Sequence, residues 1–494
     1  MHCVGQRGGQ MRTRHGQRGQ ALIYGMFVVI GGLASLFFLF NTGQLSQEKT
    51  KLVNTADAVA YSAGVMHARA LNFIAYGNRA LVANEVLVAQ MVSLSSWAQY
   101  ARTHAQNLPT QFVECADPYG YGETLGAAFH YGPKYAVMCY LTVQYAGDYI
   151  AQIAEQVPPL AQAVVTGAET NKQAIKLAHG LLHTPGHLQS MRTAVMQDVA
   201  QANYAGDGSV RVEPAGLVGA SGAPLTDDWG GFTRHYSGQD RARIAELAGL
   251  AAHTDPFTRE RRWDATAAFP GPDPVCIDLG RKSEVRRRGG TDLVNYDEWI
   301  AQDTESFWRA YQPRGFIPRC RYQEEPIAYG EQQAHPDGQD QDDSGARLGG
   351  ARSNGGAASQ ASSSHWTNYS GLPSYYELDS GQLGKDDPAL RMSVRLVRAR
   401  SDLRTSDGSS QIQRSAGSRI DAYESRVAKD EMAAVASSEV YFERPFAQRP
   451  NGYGAPQGRP REVGSLFNPY WQVRLVHSGN DVRNQQQRQG ALIQ

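Results

Sequence analysis

The pattern of apolar and polar positions changes character twice in the first hundred residues. Ala21 to Phe40 (ALIYGMFVVIGGLASLFFLF) is a run of 20 residues without a charge. At about 1.5 Å per residue an α-helix of that length matches the hydrocarbon core of a bilayer. A cleavable signal sequence has a shorter apolar region and a small-x-small site after it. Asn41-Thr42-Gly43-Gln44 provides none, so the run is expected to stay as a transmembrane helix over 21–40.

Beyond Gly43 the pattern becomes periodic. Steps of seven from Leu45 reach Leu52, Val59, Met66, Phe73, Ala80, Leu87 and Leu94, all apolar. Ala56, Ala63, Ala70 and Gly77 follow members of that series four residues on. A heptad repeat asks for a left-handed supercoil, and small residues in its seam let backbones approach. The pattern predicts one long helix over 41–108, ended by Pro109, with Ala56, Ala63, Ala70 and Gly77 as a helix–helix interface open to self-association. Packing of the same helix on its own globular domain is the plainer alternative.

Residues 109–330 read as a mainly helical, mixed domain. A helix is expected from Tyr135 to Gln156; Pro158-Pro159 interrupts it, and Ala161–His179 resumes. Val210-Arg211-Val212 is strand-prone, and Trp299, Phe307 and Trp308 stand at helical spacing as core. Residues 331–366 (from Glu331, EQQAHPDGQDQDDSGARLGG) carry almost no apolar side chains and predict a disordered linker. The remainder, 367–494, reads as a membrane-distal α+β region. Its strands are expected at Leu390–Val397 and Val440–Phe442, with a helix near Arg419–Ala436 between them. The fold class is therefore α+β: one transmembrane helix continuing into a coiled-coil-like helix, a helical middle and an α+β end.

Charge sets orientation and excludes classes. Lys+Arg and Asp+Glu are 48 each, so the chain is neither a strongly basic nucleic-acid binder nor an acidic solvating chain. The leader, 1–20, carries Arg7, Arg12, Arg14 and Arg18 and no acid, which places it in the cytoplasm and the bulk beyond the membrane. The basic run Arg281, Lys282, Arg286-Arg287-Arg288 reads as a solvated loop. Of five cysteines, Cys3 falls in the leader; Cys115, Cys139, Cys276 and Cys320 fall in the exported part, where disulfides persist. Of the three pairings, Cys115–Cys139 with Cys276–Cys320 keeps each bridge within one sequence region.

Candidate chemistry is sparse. His179, His183 and His187 are four apart, but Pro185-Gly186 breaks the helix between the second and third, and no carboxylate joins them. No HExxH, GxxxxGK[ST] or GxSxG string occurs, so no catalytic residue, cofactor or metal ligand is assigned.

Several stretches resemble the TadG-type proteins of tight-adherence (Tad/Flp) pilus assembly. They are Arg18-Gly19-Gln20-Ala21 before the apolar run, FNTGQLSQEKTKLVNTADAVAYSAG at 40–64, LNFIAYGNRALVANEVLVAQ at 71–90, Arg288–Leu293 (RGGTDL) and Ser465–Gln472 (SLFNPYWQ). The resemblance implies a non-enzymatic, single-pass inner-membrane component of a Gram-negative fimbrial assembly and secretion machine, with other pilus-assembly proteins and the lipid bilayer as partners. Prepilin-like relatives are cut after a Gly with Glu five residues on. Gly19, before Gln20, is the nearest counterpart here, with Tyr24 at the fifth place. Some TadG-type proteins carry a von Willebrand A module with a DxSxS metal site; Asp407-Gly408-Ser409-Ser410-Gln411 lacks its second serine.

Overall fold

A computed structural model describes residues 20–111, 147–214, 217–218, 224–225, 228–267, 276, 279–313, 319–337, 348, 352–362, 364–385, 387–399, 402, 431–443 and 463–478. Its spine is α1 (Gln20–Gln111), a single helix of 92 residues. The first part of α1 touches nothing: every residue from 21 to 40 is exposed, Leu22 by 77% and Phe38 by 67%. An 18-residue window there has a mean hydropathy of 2.3, which makes α1 the one candidate membrane span among the described residues. From Leu45 onward the same helix is wrapped by the rest of the chain.

Two sheets and two helices surround that wrapped part. α2 (Gly147–His183) and α3 (His187–Asn203) pack along it. β1 (Arg211–Pro214), β2 (Leu217–Val218), β3 (Pro224–Leu225) and β4 (Thr233–Tyr236) are short, and α4 (Ala242–Ala252) follows them. The larger sheet is a meander of β5 (Trp263–Ala267), β6 (Ser283–Asn295), β7 (Glu298–Tyr311) and β8 (Arg321–Ala334), with β9 (Ser364–Trp366) added parallel to β8. β10 (Tyr375–Leu378) pairs with β4. The second sheet has the order β1, β11 (Ala389–Ala399), β12 (Glu431–Phe442), β13 (Trp471–Val476), all antiparallel.

The second sheet lies along the half of α1 nearer the exposed apolar segment. Leu52, Ala56, Val59, Ala60 and Ala63 form one core with Met392, Val394, Leu396, Met432, Ala434 and Ala436. The meander lies along the far half, where Leu81, Val88, Ala89 and Val92 pack with Trp299, Ala301 and Ala334. Strands β11 and β12 of the C-terminal region thus lie next to the apolar segment and not distal to it, whereas Tyr369, Leu372, Tyr375 and Phe467 pack on the far half.

Four other expectations are corrected. α2 runs unbroken through Pro158 and Pro159. Pro159 and Glu155 are exposed, while Ala154, Ala161, Val165 and Ala168 bury the opposite face, so packing holds the helix together through both prolines. Trp299, Phe307 and Trp308 lie on a strand: the odd residues of β7 face α1, and Trp308 takes the other side. Residues 331–334 of the expected linker end β8, with Glu331, Gln332 and Gln333 buried, and Ser364–Trp366 forms β9. Residues 431–436 of the expected C-terminal helix belong to β12, which is buried on both faces over much of its length; 419–430 lie outside the described residues. The strand expectations at Leu390–Val397 and Val440–Phe442 fall inside β11 and β12.

β7 and β8 change register between Glu305 and Ser306, which face Ala328 and Pro326. The bulge leaves Ile327 unpaired in the ladder, and its carbonyl accepts from Asn107 Nδ2 of α1 at 3.0 Å. A proline that cannot serve the ladder is thereby placed where the strand hands a carbonyl to the helix.

Candidate functional site: the fastened helix and its lateral cleft

Of the four small residues singled out on α1, Ala56, Ala63 and Gly77 pack against other parts of the same chain. Ala56 and Ala63 are fully buried and Ala70 is 6% exposed. Ala56 and Ala63 sit on the second sheet. Gly77 faces α2: a Cβ there would stand 2.6 Å from His179 Cε1 and closer still to Nε2. Gly64 makes the matching approach to β13 and β12, where a Cβ would overlap Val473 and meet Ser438 Oγ at 3.0 Å.

The heptad series itself leaves the interface. Leu52 and Val59 are buried, Met66 is half-buried and Phe73 is 50% exposed. An α-helix has 3.6 residues per turn, so a strict seven-residue series drifts by about 20° per heptad around an unsupercoiled helix. The buried face follows 3.6 and includes His67, Asn78 and Glu85, which the apolar pattern passed over.

Polar side chains fasten the far half of α1. Glu85 Oε1 accepts from Lys172 Nζ of α2 at 2.8 Å, and its Oε2 accepts from Trp299 Nε1 at 3.1 Å and Tyr369 Oη at 2.6 Å. Lys172 also reaches Glu169 at 2.6 Å and lies 4.4 Å from the centre of the Tyr369 ring. Further along, Ser96 donates to Asp303 at 2.9 Å, and Arg261 and Arg287 pair with the same carboxylate at 2.7 and 3.2 Å. Tyr100 then donates to Glu305, which His104 Nδ1 approaches at 3.2 Å. Burial, reinforced by the Glu305 charge, drives the Tyr100 hydroxyl well above its ordinary pKa. Burial alone would raise Glu305, but His104, Tyr100 and Arg287 together hold it below the usual carboxylate value. Trp299, Asp303 and Glu305 are odd residues of one strand, so three rungs of β7 engage Glu85, Ser96 and Tyr100 of α1 in order.

The middle of α1 is held by the stretch Ser465–Gln472. Asn78 Nδ2 donates to Leu466 O at 2.7 Å and Tyr376 O at 2.8 Å; Arg79 donates to Phe467 O at 2.5 Å; Asn72 both donates to Trp471 O and accepts its N–H at 3.0 Å. Ser93 meets Thr291 Oγ1 at 2.6 Å. Segments far apart in sequence thus close on one helix face.

A histidine-rich aromatic group joins α1, α2 and the β4–β10 pair. His183 stacks on Tyr376 with centroids 3.6 Å apart, His235 lies 4.9 Å from the same ring, and His67 stacks on Trp229 at 5.7 Å. Arg192 Nη1 contacts His67 Nε2 at 2.9 Å. Burial lowers His67 to about 3, helped by the Arg192 charge, and lowers His179 to about 4, helped by His183. Burial also lowers His183 and His235. Beside this group opens a cleft of about 430 Å³, lined among others by His183, Arg192, Asp228, Trp229 and the turn Thr184–Gly186. Gly186 adopts φ +79°, which favours glycine, and turns the chain from α2 into α3. His187 therefore starts a new helix, as the Pro185-Gly186 break predicts, and no three-residue His, Cys, Asp or Glu group fit for a metal occurs among the described residues.

Cys276 and Cys320 form a disulfide with Cα atoms 5.6 Å apart. Cys276 lies between β5 and β6 and Cys320 between β7 and β8, at one end of the meander. Cys115, Cys139, Gly19 and Asp407–Gln411 lie outside the described residues, and Gln20 begins α1. Arg286, Arg287 and Arg288 of the basic run lie on β6 and not in a solvated loop, pairing with Glu284, Asp303 and Asp264, whereas Arg281 and Lys282 are exposed just before the strand. Sequence reading missed the polar fastenings. Their available signal was the buried-side placement, at helical spacing, of Asn78, Glu85 and Ser96.

No protein-family model, curated protein or solved structure matches the chain.

Proposed function

We propose that this protein is a single-pass, non-enzymatic component of a tight-adherence (Tad/Flp) pilus-assembly and secretion machine, anchored in a bacterial inner membrane. Its arginine-bearing N-terminus faces the cytoplasm and its bulk lies in the periplasm. Other pilus-assembly proteins and the bilayer are its partners. The observation that carries this reading is the union of the stretches on which the resemblance rests. Residues 71–79 and Ser465–Gln472 are hydrogen-bonded to each other through Asn72, Asn78 and Arg79. Thr291 of the RGGTDL stretch meets Ser93 on the same helix. Those stretches act as a structural clamp on a membrane stem, which supports an architectural role.

Crosslinking in intact cells, then affinity purification from detergent-solubilised envelopes, tests the assignment. Recovery of pilus-assembly proteins is expected. Their absence, with the tagged chain intact and in the membrane fraction, overturns it. A periplasm-active reporter fused after Gln494 is expected to be active, and a cytoplasm-active one silent.

The lateral cleft favours one second reading, a membrane-anchored periplasmic binding or adhesion module with α1 as its stalk. Arg192, Trp229 and His183 provide charge and ring faces to a ligand there. Retention of partner recovery in an Arg192→Gln, Trp229→Ala double variant separates the assembly role from cleft binding.

A further inference from the structure

The parallel addition of β9 to β8 brings two histidines together on the sheet face turned away from α1. His335, one residue beyond β8, donates its backbone N–H to Trp366 O at 3.0 Å, and His365 pairs in register with Gln333. Alternation along β8 places Glu331, Gln333 and His335 on one face, and His365 shares it as the direct neighbour of Gln333. Gln332 and Ala334 take the other face, where Ser95 of α1 donates to Gln332 Oε1 at 2.7 Å.

Two ring nitrogens meet there, and an amide oxygen shares their face. His335 Nδ1 lies 2.9 Å from Pro336 O, which can only accept, so Nδ1 carries the proton and Nε2 presents a lone pair. His365 Nδ1 stands 3.2 Å from that Nε2. Gln333 is 6% exposed, and its Nε2 donates to Glu331 Oε1 at 2.7 Å, which orients the amide. Its Oε1 is buried without a hydrogen-bond partner among the described residues. A single shared proton between the imidazoles satisfies one acceptor and leaves the amide oxygen as it is. A cation between the rings would take both nitrogens, with the amide of Gln333 beside His365 in the register. Two imidazole nitrogens bound to one tetrahedral zinc ion at about 2.0–2.1 Å stand roughly 3.3 Å apart.

We propose that His335 Nε2 and His365 Nδ1 are ligands of a divalent transition-metal ion, with Gln333 Oε1 as a third, oxygen donor and water completing the shell. Imidazole ligands select borderline ions such as zinc, nickel or cobalt over calcium and magnesium. The backbone carbonyl of Pro336 is the outer partner that fixes the ring of His335. The bound ion ties the three-residue edge strand β9 to β8, and it stands independently of the pilus-assembly reading.

The test uses the full chain in detergent, stripped with chelator, in a His2→Ala, Cys3→Ser, His15→Ala background that removes leader ligands. Equilibrium dialysis against zinc is expected to give one ion per chain, unmoved by excess magnesium. His365→Ala, at an exposed position, is expected to weaken binding at least tenfold while leaving the circular-dichroism spectrum unchanged. Gln333→Ala weakens it less. Zinc should also raise the unfolding temperature of the parent and not of the His365→Ala variant. Absence of zinc binding by the parent at 100-fold excess over protein, or equal affinity in parent and His365→Ala, overturns the site.

Discussion

Gly77 and His179 occupy one space: the imidazole sits where a side chain at position 77 would begin. Helix propensity favours Ala over Gly by about 1 kcal/mol, so an unobstructed Gly77→Ala change would stabilise α1. The ring opposes it, and overpacking of a filled interface costs about 1–3 kcal/mol. Gly77→Ala is expected to lower the unfolding temperature, and His179→Ala in the same chain to recover part of the loss. Gly167→Ala on α2, where nothing lies within 4 Å, is the control expected to stabilise. Thermal unfolding of the four proteins in one detergent reads all three outcomes.

Lys172 is fully buried between Glu85 and Glu169, so its removal leaves two carboxylates without their cation. Breaking a buried pair in this way costs about 3–5 kcal/mol, whereas an exposed pair contributes less than about 1 kcal/mol. Lys172→Met is expected to destabilise strongly, and Arg234→Met, which loses the exposed Asp240 partner, hardly at all. Denaturant titration of both variants makes the comparison; equal effects would show that the fastening of α2 to α1 does not depend on this ion pair.

The Cys276–Cys320 bridge spans a sequence separation of 44. On the chain-entropy account a loop of that length is stabilised by about 4 kcal/mol. Peptide mapping without reduction should join these two cysteines to each other, and Cys276→Ser with Cys320→Ser should lower the unfolding midpoint. Recovery of Cys276 linked to Cys115 or Cys139 would contradict the connection.

The histidine group predicts an acid-sensitive fold. His67 and His179 titrate near 3 and 4 when folded and near 6.5 when unfolded. Between those values the unfolded chain binds more protons, so stability falls as pH drops from about 6.5 toward 4. Each histidine contributes a slope of up to about 1.4 kcal/mol per pH unit over that window. His67→Phe and His179→Phe should flatten the decline between pH 6.5 and 4. An unchanged profile in both variants would locate the acid sensitivity elsewhere.

The sequence by itself determined what depends on neighbours along the chain. The uncharged run at 21–40, the helical stretch after it, the break at Pro185-Gly186 and the alternating strand at Leu390–Val397 each follow from local periodicity or backbone chemistry. So did the need for small residues at positions 56, 63, 70 and 77. Only the tertiary structure decided what fills the space they leave, because a seam cannot specify whether its partner is another copy or a distant part of the same chain. It also decided the faces. A seven-residue series and a 3.6-residue turn part company by Phe73, and the buried side passes to His67, Asn78 and Glu85, whose polarity is affordable only beside Arg192, Leu466 O and Lys172. Residues 331–334 carry no local sign of burial, yet pairing with β7 and β9 engages their backbone and hydrogen bonds engage the side chains of Glu331, Gln332 and Gln333. Polar residues enter a core when partners distant in sequence meet them there, and that meeting is a property of the fold.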